Sequence, residues 1–233
     1  MSAKKEEQRK HREELQAAAV KKQKWRGMAW KAGLVLFIPL VLYVFLQGLF
    51  TGSPALPPDV VSEADHVRGN PDAKLTLTVY ADFQCPACLT ETEVISRAWI
   101  QISDKVKLVF RHYPLDVHNH AFLAARYAEA AGRQGKFWEM HDVLYGNQEL
   151  WTVMEDPTET FVGYAKDLEL NLEQLKADAD LVEVRNKILA DQRGGTRNGV
   201  RGTPSLFFNG RLVNNPQSAS ELVQRVNAAL EDE

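Results

Sequence analysis

The chain has 233 residues, a formal net charge of −3 and only two cysteines. That length allows one well-buried domain with attachments, or at most two small domains. Two cysteines exclude a disulfide-stapled scaffold and a four-cysteine zinc site within one chain. The charge is uneven, because residues 1–31 hold ten Lys and Arg against four Glu, whereas the rest holds 18 Lys and Arg against 27 Asp and Glu. This asymmetry suggests that the two parts lie in different surroundings.

The basic end leads into an apolar segment. Residues 1–27 form a polar, helix-favouring tail, which could bind nucleic acid but has a simpler use beside the segment that follows. From Ala32 to Phe50 there are 19 residues without a charge, about the length that crosses ~30 Å of hydrocarbon as a helix. We predict a single transmembrane anchor over residues 28–50. The Lys and Arg excess before it predicts a cytoplasmic N-terminus and an extracytoplasmic body.

Two other interpretations of the apolar segment remain open. The sequence Ser53-Pro54-Ala55 offers small residues at a spacing suited to cleavage of a secretory signal, but the apolar run exceeds the usual length of about 7–15 residues. A buried core helix is the third interpretation, and the charge step on its flank argues against it. Residues 51–66 are predicted to be a linker, and Val67–Asp72 to be a turn.

Both cysteines lie in one short motif, Cys85-Pro86-Ala87-Cys88. The segment Lys74–Tyr80 before it is rich in β-branched and aromatic residues and predicts a strand, and the segment after it has helical periodicity. Lys105–Phe110 alternates polar and apolar residues and predicts a second strand, so the order is the start of a parallel crossover. A Cys-x-x-Cys motif between a strand and a helix indicates a thiol–disulfide redox site.

About 80 residues of helical pattern follow the second strand. We predict a helical subdomain inserted at about residues 116–197 into an α/β core, because this block is too long for a loop. The sheet resumes at Thr203–Phe208 and returns through Arg211–Val213, since Asn-Gly between apolar runs is a strong hairpin signal. An amphipathic helix over Ser218–Leu230 closes the chain. Within the insertion the predicted helices cover Ala121–Ala131, Phe137–Tyr145, Thr158–Leu168, a segment opened by an Asn171 and Gln174 capping pair, and Val182–Gln192.

The redox interpretation requires a thiolate. A free cysteine has a pKa of about 8.5 and is mostly protonated near neutral pH. Pro86 suits the first helical position, which would place Cys85 at the helix start, where unpaired N–H groups and the helix dipole stabilise an anion. We therefore predict that Cys85 is the nucleophile that forms a mixed disulfide and that Cys88 is the more sheltered resolving cysteine.

A static structural disulfide or a pair of metal ligands is the alternative role for the two cysteines. A two-thiolate metal site needs further ligands, and the nearest suggestive set is His112, His118 and His120. These histidines follow the second predicted strand and suit loop and helix-start positions better. We therefore expect redox activity without a bound metal.

Four stretches resemble the DsbA-like thiol–disulfide oxidoreductases of the thioredoxin superfamily, in particular their membrane-anchored bacterial members. With the intervening helices they cover about residues 67–230. The resemblance implies an α/β thioredoxin-like fold with an inserted helical subdomain for residues 67–233, a bacterial membrane location, and a periplasmic catalytic domain. The stretches are Asp82–Cys88 (DFQCPAC), Phe110–Leu115 (FRHYPL) with His118, Gln134–His141 (QGKFWEMH) and Gly202–Phe207 (GTPSLF).

The resemblance also assigns roles at the site. It implies that the Thr203–Pro204 bond is cis, packs beside the cysteines and leaves the Thr203 backbone free to pair with a substrate peptide, although a lone Thr-Pro is usually a trans turn element. It implies no cofactor beyond the cysteine pair. Ala87 stands where the strong oxidants of the family carry His, which predicts a less depressed Cys85 pKa and a milder redox potential.

The predicted function is therefore an extracytoplasmic oxidoreductase that exchanges the Cys85–Cys88 disulfide with cysteines of secreted or membrane proteins. A membrane or soluble redox partner would reset it, and we expect no nucleic-acid partner. A thiol reductase would use the same residues in reverse, and a non-enzymatic membrane-tethered chaperone or metal-delivery module is the alternative of another class. Phe137, Trp138 and His141 could line a substrate groove, although their helical spacing favours core positions.

Overall fold

The computed structural model describes residues 56–231 and, before them, Ile38 alone. Its contacts divide the chain into two units, Met1–Thr51 and Gly52–Glu233, and the strands and helices below belong to the second. The predicted anchor over 28–50 lies outside the described residues except at Ile38, and the predicted tail over 1–27 lies wholly outside them. Among the residues described, no helix is long and apolar enough to cross a membrane.

A five-stranded mixed sheet is the framework of the second unit. β2 pairs parallel with β3 and antiparallel with β4, and the β4–β5 pair is the predicted Asn-Gly hairpin. Every residue of β2 is buried, which fits its β-branched and aliphatic sequence and its central position. The strands are β1 (His66–Gly69), β2 (Leu75–Ala81), β3 (Val106–His112), β4 (Ser205–Phe208) and β5 (Arg211–Val213), in the spatial order β1-β3-β2-β4-β5.

The edge strand β1 stands where we predicted a turn. His66–Gly69 pairs antiparallel with β3, and the turn lies further on, where the carbonyl of Asn70 accepts the N–H of Ala73. Gly69 has a φ of +93°, and a Cβ atom there would lie 2.6 Å from the carbonyl oxygen of Val106. The glycine is therefore required by the close approach of β3 and not only by a local turn. The predicted turn over Val67–Asp72 was wrong for Val67–Gly69, which belong to β1, and is confirmed for Asn70–Asp72.

The helices flank this sheet in chain order. α1 joins β2 to β3, and α8 follows the hairpin and packs on α1. The six helices described between β3 and β4 form the insertion, as predicted, with α4 as an unpredicted extra turn. The bounds are α1 (Pro86–Ile102), α2 (Ala121–Gly132), α3 (Phe137–Gly146), α4 (Gln148–Trp151), α5 (Thr158–Asp167), α6 (Leu172–Ala179), α7 (Val182–Arg197) and α8 (Ala219–Glu231).

α7 runs five residues beyond the end that we predicted at Gln192. It continues through Gly194 and Gly195 to Arg197. A Cβ atom at Gly195 would lie 2.9 Å from ring carbons of both Tyr80 and Tyr113. These glycines therefore permit close packing of the helix on the sheet, and they do not end it.

A buried charge network fixes the start of the second unit. The Arg111 guanidinium is 2% exposed and bonds both carboxylate oxygens of Asp65, at 3.2 and 3.0 Å. It also donates to the carbonyls of Pro57 (2.8 Å) and Val60 (2.6 Å). Residues 56–65, which fall within the predicted linker, are thus held against β3.

Candidate active site

Cys85 is the N-cap residue of α1, with φ −76° and ψ 121°, and Pro86 opens the helix. The carbonyl of Cys85 accepts the N–H groups of Cys88 (3.0 Å) and Leu89 (3.3 Å). No side chain caps this helix start, so the Cys85 sulfur lies at a helix N-terminus whose partial positive charge favours an anion. Pro86 and Ala87 are exposed and form the outer face of the motif.

The two thiols have opposite acidities. The pKa of Cys85 is lowered to about 5, first by a hydrogen bond from the Cys88 thiol and then by the Thr203 side chain and the N–H groups of Cys88 and Ala87, against the effect of burial. The pKa of Cys88 is raised by burial and by the neighbouring Cys85 sulfur. Both cysteines are free, so the structure is that of the dithiol form. These opposite pKa shifts favour Cys85 over Cys88 as the thiolate.

The Thr203–Pro204 loop faces the cysteines from the other half of the sheet. The peptide bond is cis, which confirms the prediction. Pairing of β4 with β2, from Tyr80 opposite Ser205, brings this loop beside the start of α1. The Cys85 thiol donates to the Thr203 carbonyl at 3.5 Å. The Thr203 hydroxyl is buried and makes no hydrogen bond to a described residue in this dithiol form, which leaves it able to donate to the sulfur once Cys85 is ionised.

A buried aspartate orders the segment that leads into Cys85. Asp82 is 2% exposed, and its Oδ1 accepts the N–H of Gln84 at 2.7 Å. Its Oδ2 accepts from the N–H of Leu115 at 2.9 Å and lies 2.7 Å from Nδ1 of His118. The Asp82 N–H itself donates to the Cys88 sulfur at 3.5 Å. Sequence reasoning included Asp82 only as part of the resemblance and gave its side chain no role.

The helical insertion supports the same segment. Gln148 of α4 is buried, and its Nε2 donates to the carbonyls of Phe83 (2.7 Å) and Cys85 (3.0 Å). The Tyr145 hydroxyl donates to the carbonyl of Asp82 at 3.2 Å. These contacts tie the insertion directly to the cysteine loop. No local sequence signal identified Gln148, because its partners are more than 60 residues away along the chain.

The three histidines weighed as metal ligands have separate partners. His112 lies 2.8 Å from Oε1 of Glu129, His118 bonds Asp82, and His120 lies 2.9 Å from the carbonyl of Met154. Among the residues described, no group of three or more His, Cys, Asp or Glu side chains could hold a metal ion. The structure therefore does not bring these histidines together with the cysteines.

The aromatic group of α3 divides between core and surface. Phe137 is 3% exposed and His141 5% exposed, and both pack in an aromatic cluster with Phe110. Burial lowers the pKa of His141. Trp138 is only partly buried, lies at the edge of a cleft and donates its Nε1–H to the carbonyl of Val67 at 3.1 Å. The core prediction holds for two of these residues and the groove prediction fits the third.

Comparison with known proteins identifies the family. The Thioredoxin_4 family model, described as thioredoxin, matches residues 61–228. The chain belongs to this thioredoxin family. Its fold is that of the DsbA-like thiol–disulfide oxidoreductases within the thioredoxin superfamily.

Solved structures and curated relatives each match more than two thirds of this thioredoxin-family chain. A thioredoxin-like oxidoreductase from Silicibacter pomeroyi is 27% identical, with a TM-score of 0.62 over 73% of this chain and 94% of that one. The thiol-disulfide exchange protein alpha-DsbA2 from Wolbachia pipientis shares the fold at 18% identity, with a TM-score of 0.62 over 73% and 90% of the two chains. The Na(+)/H(+) antiporter NhaA 1 of Mycolicibacterium gilvum is 36% identical over 171 residues, which are 71% of this chain and only 27% of the antiporter. Most of that antiporter therefore has no counterpart here.

Proposed function

We propose that this chain is an extracytoplasmic protein thiol–disulfide oxidoreductase that exchanges its Cys85–Cys88 disulfide with cysteines of secreted or membrane proteins. The observation that carries the proposal is the position of Cys85 at the start of α1, 3.5 Å from the Thr203 carbonyl of the cis-proline loop, with Cys88 buried one turn on. The opposite pKa shifts of the two thiols agree with this geometry. One sulfur is stabilised as a thiolate and lies beside the cis-proline loop, while the other is sheltered and held as a thiol. A static disulfide or a metal site would not require this division.

The exchange proceeds through a mixed disulfide at Cys85. A substrate thiolate attacks the Cys85 sulfur of the oxidised pair, the Cys85–Cys88 bond breaks, and Cys88 leaves and takes up a proton because its pKa is raised. The second substrate thiolate attacks the substrate sulfur of the mixed disulfide, and Cys85 leaves as the stabilised thiolate. Two electrons pass from the substrate, which gains a disulfide, to the protein, which becomes the dithiol. A membrane or soluble partner must then reoxidise it.

The acidity of Cys85 favours the oxidising direction. A stabilised thiolate lowers the free energy of the dithiol form relative to the disulfide, so the disulfide is more readily reduced by substrate. Main-chain groups of Thr203 would hold an extended substrate segment by strand addition. A reductase role would need an electron donor and uses the same residues in reverse. Equilibration with a glutathione buffer separates the two directions. A reduction potential of about −120 mV is expected for a strong oxidant and about −270 mV for a reductant.

The location is part of the proposal. The uncharged run from Ala32 to Phe50 and its basic flank support a cytoplasmic tail over 1–27 and a membrane anchor over 28–50. A periplasmic domain would follow after a linker shorter than the predicted 51–66, because residues 56–65 are held against β3 and His66 begins β1. Protease added to spheroplasts should degrade the catalytic domain and leave an N-terminal tag intact. Protection of the domain in intact spheroplasts would refute this orientation.

Substitution of each cysteine tests the chemistry. Cys85→Ser should abolish both insulin reduction and oxidative refolding of a disulfide-containing reporter protein. Cys88→Ser should instead accumulate a mixed disulfide with substrate at Cys85, visible on non-reducing gels. If either activity survives Cys85→Ser, the proposed function is wrong.

A further inference from the structure

A cleft runs along α1 from the cysteines toward Trp138, near the start of α3. Its volume is about 410 Å³, which is within the range of sites that hold small molecules or side chains. Cys88 and Pro204 line one part of it, so it opens onto the place where the proposed substrate strand would lie. Its walls are largely apolar and include Leu89 and Ile95 of α1 and Tyr145 of α3.

One carboxyl group in the lining of this cleft lacks a partner. Glu91 of α1 is 5% exposed, and its Oε1 makes no hydrogen bond to any described residue. Arg225 of α8 is the cation that lowers the pKa of Glu91. Its guanidinium is engaged elsewhere, since it bonds Oε1 of Glu221 at 2.5 Å and also the carbonyl of Asn214. A buried carboxyl oxygen without a donor is costly, and native proteins rarely leave one unless a ligand or another group completes it.

We infer that this cleft is a substrate subsite that receives a basic side chain, such as lysine, from a residue close to the reacting substrate cysteine. The inference rests on the proposed function, because the cleft matters only if a polypeptide lies against Thr203 and Pro204. The methylene groups of lysine would lie among the apolar walls while its ammonium group donates to Glu91. A neutral alkyl side chain would leave the carboxyl oxygen unpaired, and an acidic one would be repelled.

The preference for a basic side chain should depend on pH. Burial is the main reason that the pKa of Glu91 is raised to about 7, with Arg225 lowering it and Glu221 raising it. Deprotonation of Glu91 creates the charge that an ammonium group recognises, so the preference should grow as pH rises from about 6 to 8. The other charged side chains along the cleft are already paired, Arg68 and His141 with Asp142, and Glu93 with Arg97. Cys88 and Tyr145 also line the cleft, and burial raises the pKa of each, so both stay neutral in this pH range.

The test compares dithiol peptides that carry lysine, norleucine or glutamate beside the cysteine. For the full-length oxidised protein at pH 8, we expect the rate constant of thiol–disulfide exchange to be about tenfold higher for the lysine peptide than for the norleucine peptide. A tenfold ratio is the scale of one charge-assisted hydrogen bond. Glu91→Gln should remove that ratio by lowering the rate for lysine to that for norleucine. Glu93→Gln is the matched control, since it removes an exposed carboxylate from the same helix, and it should keep the ratio.

Each contrary outcome has a distinct meaning. Equal exchange rates for the lysine and norleucine peptides with the wild-type protein would overturn the inference. A Glu91→Gln variant that slows the reaction with every peptide and with glutathione alike would also overturn it, and would indicate a role of Glu91 in proton transfer at Cys88. Loss of all exchange at Cys85 would overturn the proposed function instead. The subsite is then tested separately with lysine peptides whose cysteines are replaced by serine, and binding is followed by Trp fluorescence. These peptides should bind more weakly to Glu91→Gln than to the wild type, and equal binding would overturn the inference.

Discussion

Alkylation of the reduced protein by iodoacetamide should titrate with a midpoint of about pH 5 at Cys85. The reagent reacts with thiolates, so its rate follows the ionised fraction of Cys85, which is 7% exposed. Cys88 should contribute nothing below pH 9, because it is 1% exposed and its pKa is raised. The profile therefore reports one group, and mass spectrometry of the labelled peptide can confirm which sulfur carries the adduct.

The magnitude follows from two opposing effects. At pH 5.5 a thiol of pKa about 5 is about 76% ionised, against about 0.1% for a free cysteine of pKa about 8.5, a ratio of about 760. A thiolate of lower pKa is less nucleophilic, and a Brønsted coefficient of about 0.45 over about 3.5 pH units reduces its rate about 40-fold. Cys85 should therefore react about 20-fold faster than free cysteine at pH 5.5 and about 20-fold slower at pH 8.5, with a crossover near pH 7.

Removal of the hydrogen bond from Cys88 tests the cause of the shift. Cys88→Ala deletes the largest contribution to the low pKa of Cys85, so the midpoint should move upward. Cys88→Ser retains a hydroxyl donor at the same place and should move it less. A wild-type midpoint above pH 8, or an unchanged midpoint in Cys88→Ala, would refute this account of the site.

Three further predictions concern buried polar groups that hold the domain together. Gln148→Ala removes the side-chain donor to the buried carbonyl of Phe83 and one of three donors to that of Cys85. It should lower the free energy of unfolding by about 1–3 kcal/mol in urea, whereas the exposed Gln217→Ala should have little effect. Arg111→Met leaves the buried Asp65 carboxylate without its guanidinium partner, with Lys187 at 3.6 Å as its remaining cation, and should cost about 3–5 kcal/mol of unfolding free energy. Asp65→Leu should restore most of that loss in the double variant, and a double variant no more stable than Arg111→Met would contradict this. Burial would raise the pKa of Glu129, but hydrogen bonds from two histidines hold it below the usual 4.5. The stability contributed by ionised Glu129 is therefore present above about pH 4.5 and is lost as pH falls. Glu129→Gln should flatten the acid side of the plot of Tm against pH, and an unchanged slope would contradict this prediction.

Local pattern was sufficient for the elements that carry the redox motif. β2, α1 and the β4–β5 hairpin each have their signals within their own segments, so the sequence predicts them closely. β1 was missed because its four residues are made a strand by pairing with β3, a contact that nothing within His66–Gly69 encodes. The cis bond at Thr203–Pro204 came from the family resemblance and not from local chemistry.

The supporting residues of the site were harder to predict, for two different reasons. Gln148 acts across 63 residues on the carbonyl of Cys85, and such a pairing leaves no trace in a short window. Glu91 did leave a trace, because it precedes Val94 and Ile95 by three and four residues and so shares the buried stripe of α1. An acidic residue on an apolar helical stripe predicts a buried carboxyl group, which is costly unless it has a partner.

Cys85 and the Thr203 carbonyl that faces it are 118 residues apart in the chain. The ribosome must therefore complete the whole insertion before both halves of the site exist, and long-range pairing of β4 with β2 comes among the slow steps of folding. Until then Cys85 lacks the loop that completes its surroundings and resembles the cysteines of any nascent polypeptide. Under the proposed function, this order of events would withhold the reactivity of Cys85 toward other chains until the protein's own fold is finished.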